Sequence, residues 1–347
     1  MQIGIDSFVT THLKADDWDT GNDPQRIAEL LDEIELADRL GLDVFGIGEH
    51  HRPEFLASSP AVLLAAAAAR TKRIRLVSAV SVLSSDDPIR LFQQFATLDL
   101  ISGGRAEIIV GRGSFIESYP LFGIDLRQYD TLFAEKLGLL LEARAATHVH
   151  WSGSYRAPLD GEGVYPRPVQ TPLPVRIGVG GTPASFVRAG TLGLPLVVAI
   201  IGGEARRFRP LVDAYREAGR AAGHPPERLE VGIHSIGYVA EATGQAADEF
   251  YPSYHDAFSR IGRERGWPPT TRAQFDAARS PAGALLIGDP EAVAEKILRA
   301  SRDLGGISRV TLAVNGGALL PHDRLMRCIE LMATRVAPIV RSETDAR

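Results

Sequence analysis

Short apolar runs alternate with longer amphipathic stretches along the 347-residue chain. "QIGIDSFV", residues 2–9, reads as a strand. After a polar loop, Asp23 and Pro24 read as an N-cap and first-turn proline. Ile27, Leu30, Leu31, Ile34 and Ala37 then recur at helical spacing, and Gly41 is a natural stop. The couplet repeats. "DVFGIGEHH" precedes "PAVLLAAAAART" behind Ser59-Pro60, and "IRLVSAVSVL" precedes "IRLFQQFATLDLIS" behind Asp87-Pro88. "RAEIIVGRG" then precedes "DTLFAEKLGLLLEARA".

The rhythm breaks at residues 148–174, where alternating runs such as "HVHWSGSYRA" and several prolines predict a β-hairpin followed by an extended arm. It resumes with the strand "PVRIGVGG" and a helix from about Pro183, then "PLVVAII" and "LEVGIHSIGYVA" with their helices. "DPEAVAEKILRASRDLG", "RVTLAVN" and a closing helix from "PHDRLM" complete the series. A long helical segment and a polar stretch rich in Arg, Pro and Thr lie at roughly 252–281, and the region around 252–283 is a candidate lid, since long loops in compact domains are functional or mobile. Strands alternating with helices imply parallel pairing, and about eight such units predict a (β/α)8 TIM barrel of the α/β class. The expected organisation is one domain over 1–341 with a tail at 342–347. A doubly wound sheet usually carries a glycine fingerprint after its first strand, which "DSFVTTH" lacks.

Composition narrows the function. Hydrophobic residues are 45% and charged residues 23%, and the net charge of -5 gives no sign of a nucleic-acid or anionic-membrane partner. Cys328 is the single cysteine, so no intramolecular disulfide forms. The start lacks a signal-peptide pattern, and "AVLLAAAAA" is too short to span a bilayer. A reducing, cytoplasmic setting is expected.

Barrel active sites lie at the C-terminal strand ends, and four ends carry candidate chemistry. The second strand ends in Glu49, His50 and His51. The fourth ends in Gly111-Arg112-Gly113, where an arginine can hold a phosphate bidentately. "IGVGGTPASF" presents Gly180, Gly181, Thr182 and Ser185 at a helix start, an arrangement suited to an anion. Ser78, Ala79 and Ser81 leave room for a flat ring against the backbone. Each has a plainer reading as a loop bridge, a surface ion pair, an ordinary βα turn or barrel packing. No third and fourth ligand accompany the two histidines, so no metal site is expected.

Together, "EHH" at 49–51, "DPIRLFQQFATLDLISGGRAEIIVGRGSF" at 87–115, "YPLFG" at 119–123 and "VGGTPASFVRAGTLGLP" at 179–195 resemble the bacterial-luciferase-like flavin-dependent monooxygenases. The resemblance covers most of the chain. It implies a TIM barrel, usually dimeric, that takes reduced FMN from a separate flavin reductase and uses dioxygen to oxygenate a small organic substrate. It matches His50 to the histidine beside the flavin chemistry, and Arg112, Gly181, Thr182 and Ser185 to positions around the FMN phosphate, with Gly180 in the same turn. Ala79, Val80 and Ser81 match the strand end under the flavin ring, where the family can carry a non-proline cis peptide. One departure is Gly111, which falls where bacterial luciferase has a reactive cysteine, so light emission is not expected. The alternatives are a deazaflavin- or FMN-dependent dehydrogenase or reductase, and a flavin-binding barrel without catalysis. The alanine-rich helix at 60–69, with part of 88–101, is the expected dimer face.

Overall fold

The computed structural model describes residues 1–11, 22–113, 115–314 and 320–345. The polar loop expected after the first strand, Ser114, the last residue of "RVTLAVN" and the final two residues lie outside the described set.

β1 (Gln2–Ser7) leads to α1 (Asp23–Leu40), and β2 (Val44–Ile47) to α2 (Pro60–Arg70). β3 (Arg75–Ser78) is followed by the two-residue β4 (Ser81–Val82) and by α3 (Pro88–Ser102). β5 (Ala106–Gly111) precedes a short α4 (Ser118–Leu121) and α5 (Tyr129–Ala145). The antiparallel pair β6 (His148–Trp151) and β7 (Leu159–Gly163) is the expected hairpin. β8 (Val175–Val179) leads to α6 (Pro183–Thr191), and β9 (Leu196–Ala199) to α7 (Arg209–Ala221). β10 (Val231–Val239) runs into α8 (Thr243–Arg265) and α9 (Arg272–Ala278). β11 (Leu286–Gly288), α10 (Pro290–Leu304), β12 (Arg309–Ala313) and α11 (His322–Leu331) follow, and a π-turn at Met332–Val336 leads into α12 (Ala337–Asp345).

Eight strands close a parallel ring. The order is β1, β2, β3, β5, β8, β9, β10, β12, and β12 pairs back onto β1 with Gln2 opposite Arg309 and Asp6 opposite Ala313. This is the predicted (β/α)8 barrel. Asp87 caps α3 by accepting the Ile89 and Arg90 N–H groups, and Asp289 caps α10 by accepting the Ala292 N–H at 2.8 Å.

Strand alternation sorts the barrel interior into layers. At the N-terminal end, Glu107 pairs with Arg309 and lies 3.2 Å from Arg176 Nε, while Arg309 Nε donates to Gln2 at 2.9 Å. Burial alone would raise the Glu107 carboxyl, but the guanidiniums of Arg309, Arg176 and Arg75 hold it down at about 2. Above this plug, Val44, Val77, Ile109 and Val197 form a dry apolar layer capped by Val80. The next layer up is the floor of the mouth.

Two expectations change. Asp23 does not cap α1. Asn22 holds the cap position, and the Asp23 carboxylate instead accepts the Thr11 hydroxyl at 2.5 Å, tying the segment after β1 to the helix start. The expected long helical segment is α8, with Pro252 inside it, and the polar stretch after it carries the short α9. The closing helix, expected over "PHDRLMRCIELMATRVAPIV", continues to Asp345; its polar end, "RSETD", carries no apolar period to extend the prediction.

Candidate functional site

The mouth at the C-terminal strand ends has a phosphate-like corner and an apolar chamber. The corner is built where β5 and β8 end. Arg112 Nη2 donates to the Thr182 hydroxyl at 3.1 Å, its Nη1 pairs with Asp130, and its guanidinium lies 4.5 Å from the Tyr129 ring centroid. Thr182 stands at the N-cap of α6 but makes no cap bond with its side chain, because the hydroxyl is turned to Arg112. A Cβ built on Gly180 or Gly181 meets nothing within 4 Å, so this turn borders open space. Ser185 lies in the first turn of α6 and is buried. Arg112, Thr182 and the diglycine turn are thus brought together. Between this corner and the chamber lies a cavity of ≈ 300 Å³ lined by Gly113, Phe115, Ile116, Tyr119, Leu126 and Tyr129.

The chamber surrounds His50. Phe8 and Phe55 lie with ring centroids 4.6 Å from the imidazole, and Phe115 at 5.3 Å. The ring is 9% exposed, and neither nitrogen has a hydrogen-bond partner among the described residues. Burial, reinforced by the nearby charges of His51 and Arg52, pushes its pKa down to about 3, so the imidazole is neutral at pH 7. Glu49 and His51 turn the other way. Glu49 Oε1 lies 2.9 Å from His51 Nε2, and Oε2 accepts the Val82 N–H at 2.8 Å. They brace the strand end beside β4.

The floor between corner and chamber is made of small residues. The Ala79–Val80 peptide is cis, and it lies between β3 and β4. Ser78 is not free to line the mouth, because its hydroxyl donates to the Ile109 carbonyl and accepts the Ile109 N–H, both at 3.1 Å, stitching β3 to β5. Ser81 begins β4 and is buried opposite Val110. Val80 fills the barrel centre: a Cβ on Gly111 or Gly178 would lie 2.7 Å from a Val80 methyl. Glycine at 111 is therefore required by the side chain it faces.

Two features escaped sequence reasoning. Asp6 at the end of β1 accepts from the Thr311 hydroxyl, and its Oδ2 lies 2.6 Å from His234 Nδ1 on β10. Both side chains are buried on the floor, and the ring centroids of His234 and Phe8 are 6.1 Å apart. The available signal was an ionisable residue at an inward position of two otherwise apolar strands. The second feature is Arg52, which pairs with Glu54, Glu117 and Glu264 and lies 4.9 Å from the Phe115 centroid. Arg260 of α8 also reaches Glu54, at 3.2 Å. The helical region expected as a lid is thus fastened to the rim of the chamber.

An FMN-sized group fits these residues: open space at the diglycine turn, a guanidinium and a hydroxyl at one end, and a small-residue floor leading to an apolar chamber. Among the described residues no group of metal-ligating side chains forms, and no helix is long and apolar enough to cross a membrane.

Known proteins are similar to this chain over much of its length. The 4-hydroxyprotoasukamycin monooxygenase of Streptomyces nodosus subsp. asukaensis is 26% identical over 347 residues, covering 94% of this chain and 90% of that one. The F420-dependent glucose-6-phosphate dehydrogenase of Amycolatopsis mediterranei is 30% identical over 215 residues, covering 58% and 62%. The oxygenating constituent of 3,6-diketocamphane monooxygenase from Pseudomonas putida, solved with FMN, shares the fold with a TM-score of 0.77 at 19% identity, covering 98% of each chain. The profile of the luciferase-like monooxygenases matches residues 5–307, and the chain belongs to that family of oxidoreductases.

Proposed function

We propose that the protein is an FMN-dependent monooxygenase that uses reduced FMN and dioxygen to oxygenate a small, largely apolar organic substrate. The observation that carries this reading is the two-part mouth, with Arg112, Thr182 and the Gly180-Gly181 turn at one end and His50 among three phenylalanines at the other. A relative named as a monooxygenase, similar along nearly its whole length, supports it.

Arg112, the Thr182 hydroxyl and the start of α6 would hold the phosphate, the arginine by charge and the helix by its unpaired N–H groups. Ala79, Val80 and Ser81 would lie under the ring, and reduced FMN, when bound, supplies the two electrons that activate dioxygen. Phe8, Phe55 and Phe115 keep water from the reacting face, and neutral His50 offers one N–H and one lone pair there without adding charge. The Arg52 ion pairs would close the rim.

A second reading, a deazaflavin-dependent dehydrogenase, is favoured by the F420-dependent relative at 30% identity. A deazaflavin passes hydride and does not turn over dioxygen. Titrating the protein with FMN, FAD and F420, and following oxygen uptake with reduced FMN, tests the proposal. Preference for F420 without oxygen uptake would replace it with the second reading.

We also propose a homodimer supplied by a separate reductase. Val62 on α2 and Leu100 and Ile101 on α3 are exposed on packed neighbouring helices. Sedimentation at micromolar concentration checks the dimer; a stable monomer would exclude it.

A further inference from the structure

We infer that Asp6 and His234 form a proton-exchanging pair on the floor of the mouth, with Asp6 positioning the imidazole and His234 Nε2 serving the reacting group above. The inference rests on the oxygenase reading for its chemistry, but the pair itself is read from the barrel.

The layers isolate the pair. The charged plug at Glu107, Arg309 and Arg176 is paired within itself, and a dry layer that includes Val77 and Ile109 separates it from the floor. Asp6 and His234 therefore neither extend the plug nor join one helix to another. The floor around them is otherwise small: Gly46, Ala79, Gly111 and Ala313. Room for the carboxylate is built in, since a Cβ on Gly46 would lie 2.0 Å from Asp6 Oδ1.

The bonding has a direction. Asp6 Oδ2 accepts the Thr311 hydroxyl and faces His234 Nδ1, so a carboxylate there makes Nδ1 the protonated nitrogen and leaves Nε2 to exchange. The titratable groups facing His234 are Asp6 from β1 and His50 beyond β2; the neighbouring strands β9 and β12 present Ala199 and Thr311. His50 has no carboxylate partner among the described residues and sits in a phenyl cage that disfavours its charged form. His234 has a carboxylate at Nδ1, and its ring lies 6.1 Å from that of Phe8, which walls the chamber. Of the two histidines it is the one with a carboxylate to orient it.

The balance is that of a monooxygenation. One oxygen atom enters the substrate and the other leaves as water, using two electrons and two protons that reduced FMN gives up. His234 passes one of those protons to the departing oxygen.

The test has two arms. In the ¹⁵N-histidine spectrum of the full-length protein without flavin, His234 is expected as the Nδ1–H tautomer, and Asp6→Asn is expected to abolish that preference. With reduced FMN and dioxygen, His234→Gln and His234→Asn are each expected to lower kcat by about 10²-fold or more, to flatten one limb of the pH profile, and to leave KM and FMN affinity within about twofold. Asparagine can still bond Asp6 but lacks Nε2. An active His234→Asn, or an Nε2–H tautomer in the unsubstituted protein, would overturn the assignment. If no variant, nor the unsubstituted protein, consumes oxygen, the oxygenase reading fails while the tautomer still decides whether the pair exists.

Discussion

Arg52 and Glu264, separated by 212 positions in the chain, form an ion pair that fastens the segment after β2 to the last turn of α8. Glu264 is 46% exposed, so the pair is screened and adds little to global stability. Its consequence is local. Glu264→Gln should leave unfolding free energy within about 1 kcal/mol. It should also speed proteolytic nicking near residues 266–271 and raise the share of oxygen released as peroxide. Added salt should act in the same direction. Unchanged nicking and peroxide yield would show that the pair does not hold the rim closed.

Asp130 pairs with Nη1 of Arg112 and is 64% exposed. A phosphate arriving at the corner would meet that carboxylate as a like charge. Arg112→Ala should weaken FMN by about 1.5–3 kcal/mol, the worth of a charge-assisted bond. Asp130→Asn should tighten it by about two- to fivefold, the scale of one exposed ion pair. Fluorescence titration of FMN reads both, and a weakened Asp130→Asn would mean that Asp130 orients the arginine instead.

Glu107 sets an acid limit on the barrel. Its folded pKa, about 2, lies below the ordinary 4.5. The stabilisation is therefore complete above about pH 4.5 and is lost as pH falls through about 2. It is on the order of 3 kcal/mol. Glu107→Gln should destabilise by roughly 3–5 kcal/mol at pH 7, because Arg309 and Arg176 keep their charges without the carboxylate. Urea unfolding at neutral and acid pH measures both effects.

His50 acts in the same direction at milder acidity. Its pKa falls from 6.5 to about 3 on burial, so the unfolded chain takes up a proton there that the folded chain refuses. Stability from this group is complete above about pH 6.5 and declines by about 1.4 kcal/mol per pH unit below it. His50→Gln should remove that slope between about pH 6 and 4. Parallel slopes for the two proteins would show that the histidine titrates normally in the fold.

The barrel was legible because its signals are local. Asp87-Pro88 and Asp289-Pro290 announce helix starts within four residues, and strand runs such as Ile108–Val110 are continuous. β11 was missed because three residues show no period. The His50 end of the mouth was readable, since "EHH" falls at one strand terminus. Asp6 and His234 meet across 228 positions, and nothing near either residue names the other. The Arg52 cluster was hidden for the same reason.

The plug of Glu107, Arg309 and Arg176 makes the barrel a chamber with one door. Under the proposed oxygenation, dioxygen, substrate, flavin and product would all pass the rim that Arg52 fastens, because the paired plug closes the base. Traffic is then sequential by geometry. A large product still in the chamber stands in the path of the next flavin, so product inhibition should compete with cofactor as well as with substrate.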